Sequence, residues 1–283
     1  MKRSQVLVTV ICVAAAGALA FGGVVVWSLA HEEPPPISEQ CSADVSGQTT
    51  TVTLEQARNA AIISGVSVQR KLAPRAASIG LTTAYQESGI RNLDYGHSDS
   101  LGLFQQRPSQ GWGSPEQVTD PWYSSAAFYA ALVKVRDWNT RDLGEVAQAV
   151  QRSAYPDAYD KHVAKARTLA SSLAGETPAS FTCAIASTSP GDPDAMADFL
   201  AKTYGTRVAI TPGVAQLTVA ADSPAAAWSV AEAAVATTKD YGVATVALGG
   251  YSWTYQPWPT PTWVSADDAD REATVVTIMF SRR

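Results

Sequence analysis

"AYQESGIRNLDYGHSDSLGLFQQRPSQGW", residues 84–112, is a polar loop entered from an apolar stretch in a chain rich in alanine and valine. The residues before it, "PRAASIGLTT" from Pro74, make its first part legible as a helix. Pro74 opens that helix, Ala77, Leu81 and Ala84 fall along one face, and Gly89 ends it. Glu87 then comes in the last turn and faces the loop. A carboxyl removed from water in this way has its pKa raised, because burial disfavours the charged form. That suits a general acid, whereas the plainer role is a cap or a salt bridge.

Working outward, "TLEQARNAAIISGVSVQRKL" has Thr53 as N-cap with Gln56 three residues on, followed by apolar residues at helical spacing. Further helices are expected over residues 124–138, 143–152 and 155–173, so residues 41–185 read as a helical domain. "ASTSPGDP", residues 186–193, has the composition of a linker. Residues 194–283 alternate helix-like "AMADFLAKTYG" and "PAAAWSVAEAAVATTKDYG" with strand-like "VAQLTVAA", "VATVALGGYSW" and "ATVVTIMF". This predicts a small α+β domain with a few-stranded sheet. Tyr251, Trp253, Tyr255, Trp258 and Trp263 crowd one part of it, as a binding platform or, preferred here, as cover for a sheet edge.

At the other end, Lys2 and Arg3 precede an apolar run over residues 6–30, long enough as a helix to cross a bilayer of about 30 Å. The expectation is a single-pass membrane anchor over residues 1–30, a proline-stiffened stalk over 31–40, and an extracytoplasmic remainder. A cleaved signal followed by secretion is the alternative. Of the 3 cysteines, Cys12 falls in the apolar run. Cys41 and Cys183 flank the helical domain and are expected to form a disulfide in an oxidising compartment. Cys183 as a thiol nucleophile is disfavoured by its apolar surroundings, "FTCAI", and by the lack of a nearby histidine in sequence.

The chain has 283 residues, 46% hydrophobic and 17% charged, enough for about two ordinary domains. Its net charge of −5 and the absence of a Lys/Arg cluster argue against nucleic acid as partner. His31, His97 and His162 form no zinc motif and no phosphate-cradling glycine loop is present, so neither metal nor cofactor is expected.

"QESG", "GLFQQ" and "VQRSAYPDAY", in that order, resemble the three motifs of the lysozyme-like, soluble lytic transglycosylase superfamily: a Glu-Ser pair ending a helix, a Gly-Leu-x-Gln loop and a tyrosine-bearing helix. The resemblance spans residues 53–173 and is closest to such domains in exported bacterial cell-wall proteins. It implies a mainly α, lysozyme-like domain, here preceded by one transmembrane helix and followed by the small α+β domain. Its implied substrate is the glycan strand of peptidoglycan, cleaved in the service of a secretion, conjugation or division apparatus.

By that resemblance Glu87 is the catalytic acid, Ser88 supports the turn, and Gly102, Leu103, Phe104 and Gln105 line the sugar site. Gln105 and Gln106 offer amides to acetamido and hydroxyl groups, Gln105 being preferred. Arg107 could meet a lactyl or peptide carboxylate, and Trp112 could stack on a sugar or pin the loop to the core. Phe104 stands where many members carry methionine. "SAYPDAY" replaces the commoner Ala-Tyr-Asn-Ala-Gly, so Tyr155 and Tyr159 are both candidates for the cleft tyrosine, with Tyr155 the better positional match.

The resemblance also implies a route needing one carboxyl, in which the substrate's own acetamido group attacks the anomeric carbon and a 1,6-anhydro sugar results. The competing mechanism uses Asp94 or Asp99 as base for a water, although both fit turn roles better. A non-catalytic wall-binding or envelope-assembly protein is the remaining alternative.

Overall fold

Thr53 lies in extended backbone, with its hydroxyl accepting from the Gln56 amide and its own N–H donating to the Gln56 side chain. This reciprocal cap starts the first long helix, as the sequence predicts. The computed structural model describes residues 38–151 and 158–281. Within them the chain from Ser38 onward forms one compact unit.

The capped helix, α1 (Leu54–Gln69), is buried on nearly every side. Its run of Ala, Ile, Ser and Gly has no polar face, so neighbours cover it all round. At Gly65 an added Cβ would run into the Thr203 side chain, which lets a second helix come close. Beside α1 lies α2 (Arg75–Ser88), ended by Gly89 in the left-handed conformation at φ 66°. Next, α3 (Pro121–Leu132) begins at Asp120, whose carboxylate accepts from the Trp122 and Tyr123 amides. It starts and stops earlier than the predicted 124–138, because Asp120 with Pro121 makes a stronger start than any residue after them. The helical set is completed by α4 (Leu143–Gln151) and α5 (Asp160–Leu173), the latter packed along α2.

Three short strands frame these helices: β1 (Gln40–Val45), β2 (Gln48–Val52) and β3 (Phe181–Ala184), in the order β2-β1-β3 and all antiparallel. Cys41 and Cys183 are opposite each other in the β1–β3 register and are joined as a disulfide. Downstream come α6 (Pro193–Tyr204), β4 (Val208–Gly213), β5 (Gln216–Ala221), α7 (Pro224–Ala236), β6 (Val243–Leu248), β7 (Tyr251–Thr254), β8 (Val264–Ser265) and β9 (Val275–Phe280). Their strands form a six-stranded antiparallel sheet, β4-β5-β9-β6-β7-β8. Leu217, Val219, Val246, Leu248, Val276 and Ile278 are buried at alternate positions, as one covered sheet face requires.

The α7 helix packs against this sheet, against β3 and against α1. Glu232, fully buried on it, accepts hydrogen bonds from the Ser180 and Phe181 amides at 3.0 and 3.2 Å. Burial pushes its pKa well up, and the backbone donors oppose that. The aromatic group close by is structural in part. Trp253 is buried and donates to Thr182, Trp263 donates to the Phe181 carbonyl, and Trp258 is exposed.

Two expectations are corrected. The architecture is mixed α/β with antiparallel sheets of 3 and 6 strands, not a mainly α domain carrying a small appendage. The strands of the smaller sheet, "QCSADV", "QTTTV" and "FTCA", are short and rich in polar residues; the first two pair as a local hairpin and the third joins them across a long chain separation. The single-pass membrane placement is not supported either, since no helix among the described residues is long and apolar enough to cross a membrane. Residues 6–30, which carried that expectation, lie outside the described residues.

Candidate active site

Glu87 occupies the penultimate position of α2, because the Gly89 cap ends the helix just beyond it. It is partly buried. The Tyr159 hydroxyl, from the turn that begins α5, donates to Glu87 Oε1 at 2.6 Å. Burial raises the pKa of Glu87, while hydrogen bonds from Tyr159 and Gln151 pull it down, leaving it above the ordinary carboxyl value. Among the described residues no cation contributes to that shift.

Ser88 is buried and ties the helix end to the following loop. Its hydroxyl donates to the carbonyls of Leu103 at 2.8 Å and Ala84 at 3.1 Å, and accepts from the Arg91 amide. Gly102, at φ +76°, donates its N–H to the Leu93 carbonyl. A side chain there would collide with the Val118 carbonyl, so both conformation and space demand glycine. Gln151, at the end of α4, donates to the Phe104 carbonyl at 2.6 Å and also bonds to Glu87. The loop is therefore fastened to the carboxyl from both sides, by Ser88 and by Gln151.

Several residues expected to line a sugar site do not present their side chains to one. Leu103 and Phe104 are fully buried, and Phe104 stacks on Phe128 at 4.6 Å between ring centres. The aromatic ring at the methionine position is thus a core element. Gln106 is buried and donates to the Ser124 carbonyl. Gln105, in left-handed backbone, turns its amide back onto the Tyr95 and Gly102 carbonyls and braces the loop.

Arg107 pairs with Asp99 at 2.7 Å, and the Ser109 amide donates to the other Asp99 oxygen. The guanidinium and this amide hold the Asp99 carboxyl well below its usual range, which marks a turn residue committed to its neighbours. Asp94 is exposed in the loop. Trp112 is partly buried, packs against the core and also lines a cavity shared with Gln151.

Tyr155 lies outside the described residues. Tyr159 is the tyrosine seen on Glu87, and its ring is fully buried. Gln151 stands inside the "VQRSAYPDAY" motif but has no role in the sequence reading, because its partners are a carbonyl and a carboxyl distant in the chain. The neighbouring Tyr85, Gln86 and His162 also escaped that reading. His162 stacks parallel to Tyr85 at 5.5 Å and its Nε2 meets Gln86 Oε1 at 3.2 Å. Burial lowers the pKa of His162, helped by Lys161 and Lys165, and raises that of Tyr85 to about 12. Among the described residues no group of three His, Cys, Asp or Glu side chains could hold a metal ion.

What the arrangement offers is one protonatable carboxyl in a drier setting, held by a tyrosine and a glutamine, while Asp99 of the loop is already paired with Arg107. No protein-family model matches this chain, and no curated protein matches it.

Proposed function

We propose that the protein cleaves the glycan strands of peptidoglycan as a muramidase of the lytic-transglycosylase type, with Glu87 as its acid. The observation that carries this reading is the partly buried Glu87 carboxyl with a raised pKa and a hydrogen bond to Tyr159. A carboxyl that retains its proton can protonate the glycosidic oxygen, the demanding step in breaking a sugar–sugar bond. Tyr159 directs one oxygen of that carboxyl.

The commitment of Asp99 to Arg107 and Ser109 favours a route that needs no second carboxylate. In that route the 2-acetamido carbonyl of N-acetylmuramic acid attacks the anomeric carbon as Glu87 gives its proton to the leaving oxygen. The 6-hydroxyl of the same sugar then displaces the acetamido oxygen, and Glu87 takes back the proton. The neighbouring group acts at high effective concentration because it is already tethered to the reacting centre.

The test is digestion of purified sacculi with the full chain, followed by mass analysis of released muropeptides. Anhydro ends are the expected result. Reducing ends would point instead to a hydrolase, and retention on sacculi without release to a binding protein.

A further inference from the structure

Between the turn at Gln110–Trp112, the α3 helix and the end of α4 lies a cavity of about 520 Å³. Trp112 and Tyr123 supply aromatic walls, Ala127, Ala131 and Val135 contribute a floor of small apolar groups, and Lys134 stands at the exposed rim. Among the described residues Lys134 is the single charged one lining it, in a chain whose net charge is −5. No carboxylate among the described residues pairs with Lys134. The cavity is connected to Glu87 through one residue, Gln151, which lines it and also bonds to that carboxyl.

We infer that this cavity takes the acidic stem peptide of a muropeptide, with Lys134 binding a peptide carboxylate; the inference rests on the reading of Glu87 as acting on peptidoglycan. Three features together set the chemistry. An ammonium at the rim, with no carboxylate partner among the described residues, recognises an anion, and a carboxylate hydrogen-bonded to it forms the stronger, charge-assisted kind of contact. Small alanine and valine side chains leave room for a peptide of small residues rather than filling the space themselves. The bond network through Gln151 and Phe104 then joins an occupied cavity to the loop that Ser88 and Glu87 hold. The strand would be gripped by its peptide on one side of the acid, so a stem-bearing glycan is the preferred substrate over a bare one.

The experiment measures binding by calorimetry to the full chain carrying Glu87→Gln, which separates binding from turnover. The probes are a GlcNAc–MurNAc tetrapeptide with free peptide carboxylates, the same molecule with those carboxylates amidated, the peptide-free disaccharide with its lactyl carboxylate, and uncharged chitotetraose. The acidic muropeptide should bind about tenfold more tightly than the amidated one, the scale of one charge-assisted hydrogen bond. Lys134→Ala should erase that difference and Lys134→Arg should restore it.

Equal binding of the acidic and amidated probes, discrimination that survives Lys134→Ala, or no binding of the acidic muropeptide would each overturn the inference. Equally tight binding of the peptide-free disaccharide would assign Lys134 to the lactyl group and overturn it too. If the unmutated chain releases nothing from sacculi while the discrimination persists, the reading of Glu87 falls and this site stands. Release without discrimination gives the opposite result.

Discussion

Tyr159 and Glu87 are 72 residues apart in the chain, yet the tyrosine hydroxyl donates to the Glu87 carboxyl at 2.6 Å. The ring is fully buried, so the donor has a fixed direction. Two opposing effects meet at one oxygen. Burial favours the protonated acid and the hydrogen bond favours the carboxylate, with burial the larger.

Removing the donor should therefore raise the pKa of Glu87 further. In Tyr159→Phe, the fall of glycan cleavage at high pH, where the acid loses its proton, should move to higher pH than in the parent. Rates of muropeptide release across a pH series will show the shift. An unmoved limb would assign Tyr159 to packing alone.

Glu87→Gln should reduce release from sacculi by about 10²–10⁴-fold, the usual range for loss of a general acid. Asp94→Asn and Asp99→Asn should retain most of the parental rate. A comparable loss in either aspartate variant would favour hydrolysis by an activated water, and the end groups of the products would then be reducing.

The disulfide joins residues 142 apart and spans nearly the whole helical set. Replacing Cys41 and Cys183 together by serine should lower stability by about 2–4 kcal/mol, chiefly by freeing the unfolded chain. Urea unfolding of the parent with and without reductant, set against the variant, measures this. The reduced parent should unfold like the variant.

Glu232 gives a separate prediction about stability. Truncation to alanine leaves the Ser180 and Phe181 amides without their acceptor and should cost about 2–4 kcal/mol. Its folded pKa lies above the ordinary value of 4.5, so folding favours its protonated form. The associated stability is complete below the unfolded pKa and is lost as pH rises through the folded one. The stability of Glu232→Gln relative to the parent should accordingly increase as pH rises above the ordinary carboxyl range. Unfolding curves at several pH values would reveal a flat difference if the carboxyl were ionised throughout.

Local chemistry made the Thr53–Gln56 cap, the Gly89 stop and the place of Glu87 in the last helical turn legible, because each depends on residues within one turn of helix. The later strands 216–221, 243–254 and 275–280 were legible for a similar reason, since β-branched residues cluster in them. The strands at residues 40–52 and 181–184 were not, because Ser, Thr and Gln carry little strand preference of their own: 40–45 and 48–52 pair as a local hairpin without a β-branched apolar pattern, and 181–184 finds its partner far back in the chain.

The same distinction runs through the site. The sequence by itself determined that a glutamate would end an apolar helix before a polar loop. Only the tertiary structure decided that Tyr159 and Gln151 would hold it, that Phe104 and Gln106 would turn inward, and that Arg107 would occupy Asp99. A helix cap is settled by neighbours a few bonds away. Burial and hydrogen-bond partners are settled by packing between segments far apart in the chain, which local pattern does not encode.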